Sequence, residues 1–522
     1  MKKSILLSFV AFMVASLEAA TYRVTPDAAG GGDGQSWESP MTINEAIAAA
    51  KADEDTDDII LCKAGTYTPT ATIAISTPMT VRGGLKGTDD EMLAENGKRS
   101  VFDTQNNIAI TKVFSITTTS GLNTFEGVEI CNAYFRGVYK TGAGSLSFKN
   151  CVFDSCGKNY SAGVNSAVRG LAGRFEGSSS ATLSFDGCVF SRNTYEANVA
   201  NSTQVGYGIA VGFTSWKRVT IDNSLFVSNG LGRACLFSTE GGKGINNVRG
   251  AAIYSTVPLT VRNTEFRANR TGISAAYGGI IYIRYPGGET TSNPPTSTAF
   301  TNCLFLANSC EHCSSDSSSK EAAVLAFRSK VKDTLDVVNC TFAYNFTASA
   351  NNVSAGIDVG SSNSKANIRN TIFYGAQKTA SLKCGKDICV SSGCSANIDY
   401  CLFEEDSAEC ISSAGTLTMG SNNVFGNPKF ARAITADEID SVMVSNKNNT
   451  VWYYGYSADA YETVFSKADV HALSRKLTVD TGDPASPFSN EPRPNGARVN
   501  LGYYGNTTNA LSTLSGMKII IR

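Results

Sequence analysis

Asp186 and Asp222 are the pair whose type and spacing most directly suggest chemistry, with Lys149 upstream and Arg262 downstream at similar intervals. If each interval is one coil of a stacked backbone, the two carboxyls face outward from neighbouring parallel strands. They would then lie ~5 Å apart, the separation a retaining glycosidase uses. The competing expectation is a solvated charge ladder in which each acid is neutralised by its neighbour along the stack. Histidine chemistry is poorly supplied: a Ser/His/Asp or Cys/His arrangement would have to draw on His312, in a Ser-rich stretch, or on His471, far away near the carboxyl end. Catalytic residues are therefore left open, with Lys149, Asp186, Asp222 and Arg262 as the alternative set, and no metal site is assigned.

What must position such a column is a repeat. Phe-x-x-Asn recurs at Phe190, Phe226, Phe266, Phe305 and Phe342, with imperfect copies at Phe153, Phe373 and Phe403, so the eight phenylalanines are spaced by 37, 36, 40, 39, 37, 31 and 30 residues. A period of this size in a strand-rich chain predicts a stacked solenoid. Leu259-Thr-Val-Arg262 alternates apolar and polar as a half-buried strand does, sending Leu259 and Val261 inward and Thr260 and Arg262 outward. The residues just before each repeat phenylalanine, Val152, Val189, Leu225, Glu265, Leu304, Thr341, Ile372 and Leu402, form a second outward column, apolar enough to contact a partner or to be covered.

Asn150, Asn223, Asn263, Asn302, Asn339 and Asn370 share one slot, with Gly187 and Tyr400 as exceptions. Asn tolerates the left-handed backbone of a sharp corner, and stacked amides can hydrogen-bond from coil to coil, so this column predicts a structural ladder. Cys151, Cys188, Cys303, Cys340 and Cys401 occupy the next slot, where Ser224, Thr264 and Thr371 stand in other coils, which predicts small buried side chains. Cys384, Cys389, Cys394 and Cys410 lie in a loop-rich stretch and are disulfide candidates. Cys310-Glu-His-Cys313 lacks a second Cys/His pair at finger-like spacing.

Gly278-Gly-Ile-Ile281 and Gly250-Ala-Ala-Ile253, together with the Phe-x-x-Asn copies, resemble the passenger repeats of chlamydial polymorphic outer membrane proteins. More widely the chain resembles the right-handed parallel β-helix, pectin-lyase-like proteins. Thr21-Tyr-Arg-Val-Thr-Pro-Asp27, Ile43 to Ala50, Ala64-Gly-Thr-Tyr67 and Val81-Arg-Gly-Gly84 look like their entry cap. Asp480-Thr-Gly-Asp-Pro484, Glu491 to Gly502 and Tyr504-Gly-Asn506 resemble the choice-of-anchor Q module of bacterial surface proteins. The resemblance implies an all-β solenoid, but the family is diverse in activity. In residue types alone, adjacent acids beside Lys or Arg are similar to the calcium-assisted elimination site of pectate lyases, which implies calcium as the cofactor of a lyase reading and none otherwise; such a site would want a third acid.

Lys2 and Lys3, the apolar segment Ile5 to Leu17 and the small pair Ala19-Ala20 predict a secretory signal over 1–20. A right-handed parallel β-helix with its amino-terminal cap follows over 21–428, and a capping module over 429–522. The formal net charge of −1 gives no sign of nucleic acid as a partner, and no apolar run after the signal is long enough to span a bilayer. The expectation is a secreted or cell-surface protein, non-catalytic, that adheres to a glycan or cell-surface component through its loop-decorated edge. The alternatives are a polysaccharide lyase or glycoside hydrolase acting in a groove along the rod, and a purely structural spacer.

Overall fold

The computed structural model describes residues 19–52, 58–93, 98–157, 168–195, 205–231, 247–273, 278–284, 297–312, 322–329, 333–347, 354–361, 363–376, 385–445, 454–456 and 460–513. The chain winds into a right-handed parallel β-helix with three long parallel sheets. Sheet A runs from Thr21–Val24 to Thr416–Met419, and sheet B from Gly65–Tyr67 to Val424–Phe425. Sheet C closes the third side, from Ile73–Ile75 to Ile411–Ser413. In Leu259–Arg262, Leu259 and Val261 are buried while Thr260 and Arg262 face out, so the alternation read from the sequence is the packing that forms. No helix among the described residues is long and apolar enough to cross a membrane.

The repeat phenylalanines sit in register on sheet B and stack face to face. Centroid separations are 4.8 Å for Phe153–Phe190, 4.4 Å for Phe190–Phe226, 5.0 Å for Phe226–Phe266 and 5.1 Å for Phe266–Phe305. The stack continues through Phe342, Phe373 and Phe403. Each ring is almost wholly buried, so its transfer energy is spent along the axis of the rod, against the coils above and below.

Two corners in each coil require left-handed backbone. Between sheets A and B it is held by Asn150, Asn223, Asn263, Asn302, Asn339 and Asn370, with φ of 49 to 52°. Tyr400 takes the same conformation at φ 52° and Gly187 at 63°. The second corner, between sheets B and C, falls on the residue before the Phe-x-x-Asn asparagine: Arg192, Ser228, Ala268, Ala307 and Tyr344 all have φ of 50 to 55°. The asparagine that follows turns inward.

Those inward asparagines form the continuous amide ladder. Asn193 Nδ2 donates to Asn229 Oδ1 at 2.9 Å, Asn229 to Asn269 at 2.9 Å, Asn269 to Asn308 at 3.0 Å and Asn308 to Asn345 at 3.1 Å. Each second amide hydrogen goes to the carbonyl of a repeat phenylalanine one coil back, as in Asn269 Nδ2 to Phe226 O at 2.9 Å. In the corner slot, amide pairing is seen only at Asn263 to Asn223, at 3.3 Å; Asn223 donates instead to Asp186 Oδ1, and Asn302, Asn339 and Asn370 to groups of the carboxyl-terminal region.

Residues after Asn427 turn back along the outside of sheet B. Phe430, Ile434, Ile439, Val464, Phe465 and Leu501 pack on Leu304, Leu306, Tyr344, Ile372 and Leu402, and Tyr503 OH reaches Glu265 Oε1 at 2.9 Å. The lower half of the apolar column is thereby buried, while Val152, Val189 and Leu225 stay half-exposed.

The cysteine expectations divide. Cys151, Cys188, Cys303, Cys340 and Cys401 are buried thiols that donate to backbone carbonyls, in the column where Ser224 and Thr264 hydroxyls do the same. The expected loop disulfide is not formed among the described candidates: Cys389 and Cys394 are thiols, and Cys410 Sγ donates to Glu405 O at 3.4 Å. Strand pairing sets Cys389 beside Asp358 and Ser412, which leaves it no sulfur neighbour in the sheet. Burial pushes its thiol up to about 12, so it stays protonated. Cys384 and Cys313 lie outside the described residues.

Candidate functional site

The sequence column is in register. Lys149 pairs with Asp186, Asp186 with Asp222 and Asp222 with Arg262 along sheet A. Asp222 is held by Arg262 through two hydrogen bonds of 2.7 and 2.9 Å, and Asp186 Oδ1 accepts from Asn223 Nδ2 at 2.8 Å. Lys149, Asp186 and Arg262 are exposed. The four residues thus stand side by side on the outer face, with one of the two acids already paired to a guanidinium.

Farther down the same face the geometry changes. A cleft of about 440 Å³ opens over the late coils, lined by Asp336, Val338, Asn367, Arg369, Asn397 and Asp399 from sheet A, by Tyr400 at the corner that follows and by Asp483 from the carboxyl-terminal region. Strand pairing places Asp336, Asn367 and Asn397 in one row and Val338, Arg369 and Asp399 in the next. The first row is a relay: Asn397 Nδ2 donates to Asn367 Oδ1 at 3.1 Å, and Asn367 Nδ2 to Asp336 Oδ1 at 2.8 Å. In the second row the Arg369 guanidinium is 54% exposed, with Asp483 Oδ2 3.7 Å from Nη1.

Local structure explains how each group is held. Asp483 belongs to Asp480-Thr-Gly-Asp-Pro484, a turn anchored on the helix corner: Asp483 N donates to Asn370 Oδ1 at 2.8 Å, and Asn370 Nδ2 to Ser486 Oγ at 2.9 Å. Gly482 is required there, since a Cβ would lie 2.4 Å from Val499 Cγ1. Asp399 Oδ1 accepts from Tyr400 N and Asn422 N at 3.0 and 3.2 Å, and Oδ2 from Asn422 Nδ2 at 3.1 Å. Tyr400 holds a left-handed backbone that costs an aromatic residue about 1 kcal/mol or more. Its ring lies against Arg498, whose Cζ is 5.6 Å from the centroid.

The arrangement offers a hydrogen-bonding row for sugar hydroxyls, an accessible guanidinium for an anionic group, and carboxylates on either side. It does not offer a calcium site. Among the described residues no three His, Cys, Asp or Glu side chains are grouped to hold a metal ion, and both oxygens of Asp399 are already engaged. Arg369 and Asp399 lie in the outward row that the repeat defines, so their types were legible; Asp336 one row over and Asp483 from beyond the repeat were missed. The only sequence signal for Asp483 is its place in a Gly- and Pro-bearing turn motif.

No family model matches the chain. Over 135 residues it is 31% identical to pectate lyase L of Dickeya chrysanthemi, a match covering 25% of this chain and 31% of that protein. The chain's match therefore spans about a third of that relative's length. Among solved structures, pectate lyase Pel9A is similar at a TM-score of 0.41 and 15% identity, covering 94% of this chain and 97% of that one. A mannuronic acid specific polysaccharide family 6 lyase from human gut microbiota is similar at a TM-score of 0.40 and 12% identity, covering 77% and 82%. The fold, read from its own strand pairing, is a right-handed parallel β-helix.

Proposed function

We propose that this chain engages an extended polysaccharide along the outer face of sheet A and cleaves it, as a lyase or a glycoside hydrolase, in the cleft around Arg369. The observation that carries the reading is the gathering of Asp336, Asp399 and Asp483 about one exposed guanidinium in an open trough. The partial match to a pectate lyase supports the substrate class. Arg369 pairs with an anionic or hydroxyl group of the sugar. Asp336, a carboxylate at the receiving end of the amide relay, takes a proton from the sugar carbon in elimination or from the attacking water in hydrolysis as the glycosidic C–O bond breaks, and a proton returns to the departing oxygen. The same reading takes 1–20 as an export signal, of which 1–18 lie outside the described residues, and places the protein outside the cell or on its surface. The likeness of its repeats and terminal module to chlamydial passenger repeats and choice-of-anchor Q supports that location.

A second reading, glycan adhesion without cleavage, is favoured by the hydrogen bonds that pin Asp399 and Asp483 and by the pairing of Asp222 with Arg262. The experiment is depolymerisation of uronate-containing and neutral polysaccharides, read as new reducing ends and unsaturated products. The expected result is cleavage that falls roughly 10²-fold or more in Asp336→Asn, the size of a lost proton-transfer group. Retention of a glycan with no cleavage by the unmodified protein establishes adhesion instead; an undiminished rate in Asp336→Asn removes that residue from the mechanism.

A further inference from the structure

The outer face of sheet C carries a surface of a different kind. Tyr139 pairs in register with Arg174, and Tyr207 stands between Arg169 and Arg249 on the coils to either side. Cations cover these rings: Lys112 lies 5.2 Å and Arg174 5.4 Å from the Tyr139 centroid, and Arg169 5.0 Å and Arg249 5.4 Å from that of Tyr207. The stripe continues through Tyr254, whose ring lies 5.0 Å from Tyr207. The carboxylate facing Tyr139 and Arg174, Glu176, is bound to both, accepting from Tyr139 OH at 2.9 Å and forming an ion pair with Arg174. The buried Arg136 also lies 5.4 Å from the Tyr139 centroid, so among the described residues five cations against one carboxylate meet at these rings, a local segregation of charge on a chain of formal net charge −1.

From this geometry we infer that the Lys112–Arg249 stripe on sheet C is a second binding surface, for an anionic polysaccharide, separate from the Arg369 cleft. Cations from the coils above and below approach both Tyr139 and Tyr207, and their hydroxyls are engaged by Glu176 and Arg249, so these rings offer edges rather than open faces. That disfavours nucleic-acid bases, which need a ring face for stacking, and suits a hydroxyl-rich chain. Guanidiniums held in a row present paired donors to carboxylates or sulfates, and because tyrosines alternate with them the cations fall on every second coil, ~9.6 Å apart at ~4.8 Å per coil, comparable to the length of two pyranose units, so one acidic group in every second sugar meets a cation. The alternation of Arg and Tyr fixes the side chains before binding, which lowers the entropy cost of a long flexible ligand. The surface does not depend on cleavage in the cleft: it is a polymer-holding site whether or not the protein is an enzyme.

The test is equilibrium binding of the full chain to polygalacturonate and to its fully methyl-esterified, neutral counterpart. Binding of the acidic polymer that weakens with salt is expected, with little binding of the ester. The double variant Lys112→Glu/Arg169→Glu should bind at least about tenfold more weakly, as reversal of one half-buried and one exposed charge predicts. Arg169→Lys should bind nearly as the parent, and matching thermal unfolding of all forms verifies the fold. Made in the Arg369→Ala background, where the cleft no longer pairs with an anionic group, the double variant should show the same relative loss, which separates failure of this surface from failure of the cleft. Equal affinity for the ester, undiminished binding by the double variant, or tighter binding to single-stranded DNA or to anionic vesicles would each overturn the assignment.

Discussion

Two columns of asparagine run along this rod, and they differ in what the surrounding structure asks of them. The inward column, Asn193 to Asn345, is 2% exposed or less and forms an unbroken chain in which each amide donates to the next and to a backbone carbonyl. In the corner column, Asn150, Asn223 and Asn263 are exposed and conformational: the residue is there because it accepts φ near 50°. Lower down, the carboxyl-terminal region covers that column, and Asn302, Asn339 and Asn370 become donors to Gly505 O and Ser486 Oγ. One residue type thus serves as buried network, as bare corner and as docking point. Burial decides which, because a hydrogen bond is worth most where its loss leaves groups that water cannot reach.

Substitutions can break this contrast. The largest effect is expected for Asn269→Ala, which strands the Asn229 side-chain amide, the Asn229 backbone N–H and the Phe226 carbonyl in the core, while Asn308 Oδ1 keeps only the backbone N–H of residue 269. A loss of about 3 to 5 kcal/mol is expected from several unsatisfied buried groups, similar to Phe266→Ala in the same coil. Denaturant unfolding with hydrogen exchange should show the loss spreading to the adjacent coils. A cost under 1 kcal/mol would mean the ladder is ornamental.

Asn370→Ala comes next, at about 2 kcal/mol, from an alanine forced to positive φ and from the lost bonds to Asp483 N and Ser486. Because that corner positions Asp483, polysaccharide turnover should fall with it, whereas unchanged turnover would detach the terminal turn from the cleft. The smallest effect is at Asn263, where only a 3.3 Å amide contact is lost. Asn263→Ala should cost about 1 kcal/mol, nearly all of it backbone strain, and Asn263→Gly should recover most of it. If Gly proves as damaging as Ala, the corner amide matters and the two columns are alike.

The parts of the fold that were legible are those in which one coil repeats the next. Leu259-Thr-Val-Arg262 announced a half-buried strand, the spacing of Phe153 to Phe403 announced a stack, and the corner slot announced left-handed backbone, since each is set by local stereochemistry recurring at a period. The ladder was read one column away from where it is continuous. Both slots recur equally well, and sequence alone does not tell which asparagine faces inward after a corner bends the chain. The expected disulfide failed for a related reason: Cys389 takes a place in sheet C where its neighbours are set by strand register.

The candidate site was the least legible. Lys149, Asp186, Asp222 and Arg262 do share a face, as spacing implied, but the cleft lies where the carboxyl-terminal region returns to the rod and adds Asp483 beside Arg369. By itself the sequence determined the coil: its alternating strands, the phenylalanine stack and the residue types at each outward position. Only the tertiary structure decided which stretch of that regular face becomes concave. A solenoid's periodic contacts are encoded by repetition, whereas the docking of Phe430, Ile434, Ile439, Val464, Phe465, Leu501 and Tyr503 across coils from Glu265 to Leu402 joins segments far apart in the chain through contacts that occur once.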